Sequence, residues 1–427
     1  ERLFSGKENT INIRISRDDI TEFNAQARKS LNTGFHRDEI KTWRKVDLDI
    51  GSDSFEQVKI KIHGTSVGSI LKGFTTFEKA SIKLGGEFLS NDVSLAKLRS
   101  SFKIKLNKNN LFNGIREFSL ISPNQTWDAS SIGLTKAAKS MGLIVSETTP
   151  IQLYFNGTDA GIYLMYEAFE KELLERDYGI TNYSILKSND VLKFLGKSHV
   201  SMTDFTSHDK EQSGMELVSE HALGRFELLM GYLKERDVKN VKRFINVDDF
   251  AKISAIERVY GSNHSTAGDN LKYLYDFSTG RFRLILRVES AIELAGYTDN
   301  LTQFDQVIPN STGYKTNEIF NLLLKNKDFL NSRNEYLRLL IKNRDQLLRD
   351  IENATDRFKM LSKTTTKPFY EQINRSKSSL SKLNTNLAGI ERYLGSNKIY
   401  TTHVKSSSSV EVLNVSTSEL YMNSIED

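Results

Sequence analysis

The chain has 427 residues, no cysteine and a formal net charge of +5, a length that predicts two or three domains or one large domain with additions. Its composition excludes disulfides and thiolate metal centres, and 38% hydrophobic residues exclude a disordered chain. No stretch approaches the ~20 apolar residues of a membrane span, and no basic patch with interleaved aromatics points to nucleic acid, the basic excess being spread along the sequence.

Residues Ile11–Ser16 alternate apolar and polar, which predicts a half-buried strand. Ser16 or Asp18 is placed to cap a helix running to about Leu31. Strand patterns return at Val46–Ile50 and Val58–Ile62, followed by a turn of small residues, His63-Gly64-Thr65-Ser66-Val67-Gly68. Further strands are expected at Phe102–Leu106 and Phe118–Ile121, then a helix over Ala129–Met141 closed by Gly142. Ile151–Phe155 and Gly161–Tyr166 flank Asn156-Gly157, a dipeptide suited to positive φ, and read as a hairpin. Glu167–Arg176 reads as a helix, Thr181–Leu186 as a strand, and Met215–Leu233 and Val247–Tyr260 as helices. A second hairpin pairs Leu271–Tyr275 with Phe282–Val288.

From Glu318 to about Leu394 the pattern is helical, with Leu322, Leu323, Leu337, Leu340, Leu347 and Leu348 near helical spacing. Ser406–Ser409 reads as flexible, and Val410–Val415 as an edge strand. Strands early and helices late favour an α+β fold over a doubly wound sheet. The expected division is a β-rich lobe over 1–190, a mostly helical lobe with the second hairpin over 191–400, and a tail over 401–427.

No Walker A, His-Glu-x-x-His or Gly-x-Ser-x-Gly sequence occurs, and the seven histidines are scattered. What remains is Ser101-Phe102-Lys103-Ile104-Lys105-Leu106. Alternation along a strand puts Lys103 and Lys105 on one face and the apolar residues on the other. A strand lysine can hold nucleotide phosphates when a neighbouring carboxylate orients it, and Glu167 is the candidate carboxylate.

These pieces stand in the order seen in the CotH family. His63-Gly64-Thr65-Ser66 resembles its Arg-Gly-Asn-Ser turn, and Ser101–Leu106 its lysine-rich strand. Leu153-Tyr154-Phe155-Asn156-Gly157 followed by Gly161-Ile162-Tyr163-Leu164-Met165-Tyr166-Glu167 is similar to its central hairpin. Asn270–Tyr275 with Thr279-Gly280-Arg281-Phe282 resembles its later hairpin. The resemblance spans roughly residues 45–395.

The resemblance implies an atypical protein-kinase-like fold with mostly antiparallel sheets and a helical C-terminal part. It also implies ATP with Mg or Mn, and phosphorylation of Ser or Thr on surface or coat proteins. Lys103, with Lys105 as the alternative, then takes the place of the phosphate-binding lysine, Glu167 that of its partner, and Asn270 matches a family asparagine.

The chain departs from the pattern at the metal site. Asp269-Asn270 stands where the family has His-Asn, and Ser265 falls near an upstream aspartate. Leu286-Arg287-Val288-Glu289-Ser290 replaces Pro-Trp-Asp-x-Asp, leaving Asp269 and Glu289 as the candidate catalytic and metal-binding carboxylates. Mg²⁺ favours hard oxygen ligands, which Val288 lacks. Three functions are therefore expected as alternatives: a pseudokinase binding or scaffold module that retains nucleotide, an active atypical Ser/Thr kinase using Asp269, Glu289 or Glu293, or a structural or adhesive surface protein. A protein partner or substrate is expected, with no nucleic acid and no transmembrane segment. The expected location is extracytoplasmic or at the cell surface, with the cytoplasm as the alternative; a start at Glu1 is what removal of a signal or anchor would leave.

Overall fold

The computed structural model describes residues 9–33, 40–64, 99–122, 128–188, 205–207, 216–261, 272–286, 318–365, 370–395, 400–402 and 411–413. Mixed helix and sheet build two bodies, a closed barrel and a helix-rich part around a second sheet.

The barrel begins with β1 (Thr10–Arg14) and α1 (Arg17–Thr33). The Ser16 hydroxyl accepts from the Asp19 amide at 3.1 Å, and Asp18 and Asp19 in the first turn favour the positive end of the helix dipole. It continues through β2 (Arg44–Ile50), β3 (Asp53–His63), β4 (Ser101–Lys105) and β5 (Glu117–Ile121). It then passes α2 (Ala129–Ser140) and β6 (Ile144–Val145) and ends in β7 (Thr148–Phe155) and β8 (Thr158–Glu167). The strand order is β1-β2-β3-β4-β5-β8-β7, and a parallel β1–β7 pairing closes the ring.

Period-2 alternation fills the interior with Ile11, Leu48, Ile60, Phe102, Phe118 and Tyr163 among others. Phe23 of α1 joins that core, its ring 6.1 Å from Phe102. The expected Asn156-Gly157 turn is present, with φ of 49° and 76°; positive φ at both positions suits the twist of a two-residue hairpin. The Asn156 amide also accepts from the Ile15 N–H and donates to the Ile15 carbonyl, both at 2.9 Å, which fastens the hairpin to the end of β1.

Beyond the barrel come α3 (Lys171–Tyr178), β9 (Tyr183–Ser188), β10 (Phe205–Ser207), α4 (Glu216–Lys234), α5 (Val238–Phe244) and α6 (Val247–Tyr260). The later hairpin is β11 (Lys272–Asp276) and β12 (Arg281–Leu286). The described residues then form α7 (Glu318–Leu323), α8 (Lys327–Lys342), α9 (Arg344–Ser362) and α10 (Tyr370–Gly395). The second sheet has the order β10-β9-β11-β12-β6, so elements on both sides of residue 190 share it. Residues of α2, α4, α6 and α7–α10 form the largest core together with Ile162 and Leu164 from the outer face of β8. Leu337, Leu340 and Leu347 are buried there.

Three sequence expectations change. The helix expected from Glu167 starts at Lys171, because Glu167 is still paired with Phe118 in the barrel ladder. Among the described residues the strand expected at Val410–Val415 pairs, as β14 (Glu411–Leu413), with β13 (Tyr400–Thr402) in a separate two-stranded sheet. The expected β5 extends one residue earlier, to Glu117. Ser406–Ser409 and most of the turn after Gly64 lie outside the described residues.

Candidate phosphate site on the barrel face

The sheet registers decide which side chains meet. Lys103 lies opposite Ser119, and Lys105 opposite Glu117. Phe102 and Ile104 point into the barrel, so Lys103, Lys105, Glu117 and Ser119 stand on the outside. Ser119 is in turn paired with Tyr166 on β8. Tyr166 and its same-face neighbours Leu164 and Ile162 contact the large core, so this outer face runs towards the helical body. The Tyr166 hydroxyl is 3.3 Å from His63 Nε2 at the end of β3.

Glu117 is the acid that holds the lysines. It forms an ion pair with Lys103, and its other oxygen is 3.1 Å from Lys105 Nζ. The Glu117 side chain is 3% exposed against 19% for Lys103 and 26% for Lys105. Burial alone would push the Glu117 carboxyl up, but the two ammoniums outweigh it and hold the group below its ordinary range. Burial likewise presses Lys103 down, and attraction to Glu117 outweighs it, so this ammonium stays charged beyond its usual range. Glu170, the residue before α3, makes no side-chain cap bond. Burial raises its carboxyl, repulsion from Glu117 adds to the rise, and Lys103 and Lys105 partly oppose it.

The pairing expected between Lys103 and Glu167 is not formed. Glu167 is in register with Phe118, one position out of phase with Lys103, so its side chain leaves the sheet on the opposite face. There it takes a two-pronged bond from Arg176 of α3, at 3.1 and 2.6 Å. Arg176 also binds Asp177, and Asp177 binds Lys139 of α2, so Glu167 ends an ion chain joining barrel and helices. Burial raises the Glu167 carboxyl, and Arg176 opposes the rise.

Lys103 and Lys105 are thus brought together, and Glu117 and Glu170 are the acids that sequence reasoning missed. Asp269, Asn270 and Glu289, with Ser265, Arg287, Val288, Ser290 and Glu293, lie outside the described residues. The first described residue after Asn270 is Lys272, whose Nζ is 5.8 Å from the Phe169 ring, next to Glu170. Among the described residues no group of three or more His, Asp or Glu is placed to hold a metal ion, and no helix is long and apolar enough to cross a membrane.

The anionic phosphates of a nucleotide fit this face. Lys103 and Lys105 share the Glu117 carboxylate and also face Glu170, so what the face offers an anion is N–H donors rather than a net positive charge. Ordering by Glu117 keeps Lys103 from dispersing into solvent.

Among solved structures, "Crystal structure of A Helicobacter pylori proinflammatory kinase CtkA" is similar at 11% identity and a TM-score of 0.28, covering 68% of this chain and 91% of that one. No curated protein matches the sequence. A family model described as "CotH kinase protein" matches residues 81–400. The chain belongs to the CotH kinase protein family.

Proposed function

We propose that this CotH kinase family member binds ATP through Lys103 and Lys105 and serves as a pseudokinase binding or scaffold module at the cell surface. The observation that carries the reading is the Lys103–Glu117 pair, a charged lysine fixed on a barrel face that continues towards the helical body. Bound with Mg or Mn, the nucleotide would supply a transferable phosphoryl group. Phosphoryl transfer depends on metal ions that offset charge on the β- and γ-phosphates. Val288 and Ser290 stand where the family has aspartates, so efficient transfer is not expected.

One observation favours the second reading, an active atypical Ser/Thr kinase. Two carboxylates, Glu117 and Glu170, already act on Lys103. That reading still needs Asp269 and Glu289 to hold metal.

Titration calorimetry with ATP and Mg²⁺ or Mn²⁺ tests the binding. Lys103→Ala should weaken it about tenfold or more, as expected for loss of a charge-assisted contact, and Lys327→Ala should leave it unchanged. Equal affinity of the two variants would remove Lys103 from the site. Robust labelled-phosphate transfer by the unmodified chain, abolished by Asp269→Asn or Glu289→Gln, would replace the pseudokinase reading with the kinase one.

A further inference from the structure

The outer face of β2, β3 and β4 carries charge that the nucleotide reading does not use. The registers set Lys45 opposite Lys59 and Lys59 opposite Lys105. One step along, Lys61 lies opposite Lys103. Val58, Ile60, Phe102 and Ile104 fill the interior, so alternation turns all five lysines outward. With neighbouring strands ~4.8 Å apart, Lys45, Lys59 and Lys105 make a cationic row about 10 Å long. The sequence conceals this patch, because its members come from three strands between residues 45 and 105.

Like charges directly opposite one another destabilise a sheet. Among the described residues the row is relieved at one end, where Glu117 meets Lys105. Lys45 and Lys59 are exposed and make no ion pair among the described residues. Lys61 stands 4.5 Å over the Trp43 ring, which fixes its ammonium beside the row.

We propose that this row is a docking strip for an acidic segment of a partner protein. A surface making about 6–10 phosphate contacts, which gives tight, strongly salt-dependent nucleic-acid binding, needs more cations than this short strip presents. An extended peptide presents same-face side chains every ~6.7 Å, so a row about 10 Å long accepts two acidic side chains two residues apart. The strip runs into Lys103. On the nucleotide reading above, it would therefore hold the partner beside the phosphates; the docking itself does not depend on that reading.

Fluorescence anisotropy of a labelled hexaglutamate peptide with the full chain tests the strip. Lys45→Gln/Lys59→Gln, which removes the charges without setting a carboxylate opposite Lys105, should weaken binding about tenfold or more while calorimetric ATP affinity stays unchanged, so the two readings fail separately. Lys325→Glu/Lys327→Glu, on an exposed helical surface, should change neither. No loss, an equal loss in the control pair, or equally tight capture of a labelled oligonucleotide or of phosphatidylserine vesicles through the same two lysines would overturn the proposal. Lys45→Glu alone should raise the melting temperature by turning a like-charge pair into an opposite one. An unchanged or lower value would remove the premise that the row is strained by its own charge.

Discussion

The barrel and the helical body bury their chains by different rules. In the barrel, apolar side chains alternate inward and charge is displayed outside in cross-strand rows. The helical body places polar groups inside and uses several of them to tie one helix to another. Arg333, fully buried, donates to Asn334 and at 3.0 Å to the Tyr393 hydroxyl. Asn386 of α10 donates to the Val259 carbonyl at 3.1 Å, and Ser379 to Asp128, the cap of α2. A barrel is positioned by register, which is periodic. Packed helices can slide, and buried polar ties of this kind select one arrangement. The two regions nevertheless share β5 and β8: Leu120, Tyr163 and Met165 face one core, and Ile121, Ile162 and Leu164 the other.

That sharing can be broken first. Phe102 is fully buried and lies 5.2 Å from Phe155 and 6.1 Å from Phe23, ring to ring. Phe102→Ala should cost about 3–5 kcal/mol. Calorimetry should show one unfolding transition moved down, and two separated transitions would mean that the cores do not cooperate. A smaller effect is expected from overfilling the helical body. A Cβ on Gly133 of α2 would stand 2.7 Å from Ile351 of α9, so Gly133→Val should cost about 1–3 kcal/mol. An unchanged denaturation midpoint would show that this helix contact is loose.

The smallest effect sharpens the reading of the charged face through pH. Glu117 has a lowered folded pKa, so its stabilisation is complete above its ordinary value of 4.5 and is lost as pH falls through the folded value. Glu170 has a raised one, so its ionised form costs stability at neutral pH, and acid relieves that cost on the way down to 4.5. Glu170→Gln should therefore raise the melting temperature at pH 7, with the gain vanishing in acid. An equal gain at every pH would show that packing, not ionisation, is responsible.

Much of the barrel was legible because period-2 alternation and the Asn156-Gly157 turn are local signals. The family resemblance was legible for the same reason, since the hairpin carries most of it. The lysines of the candidate site were found, but not their acid. Reading β5 from Phe118 left out Glu117, one residue earlier and directly opposite Lys105. Glu167 was the nearer choice along the chain, and only the pairing of β5 with β8 shows that it faces the other way. The two-residue β6 and the three-residue β10 carry no periodicity to read. The short helix α5 had a local signal in its Asp237 cap, whose side chain accepts from the Asn240 N–H. The lysine row is a product of register across three strands, which composition alone averages away.

The bonds between Asn156 and Ile15 also set a clock on biosynthesis. They join positions 141 residues apart, and the β1–β7 pairing that completes the ring spans a similar stretch. At ~5–20 residues per second, a ribosome needs roughly 7–28 seconds between making one partner and the other. Throughout that interval the edge of β1 that will meet β7 has no native partner. Unpaired strand edges template association with other chains, so this interval is when the nascent protein depends most on being shielded.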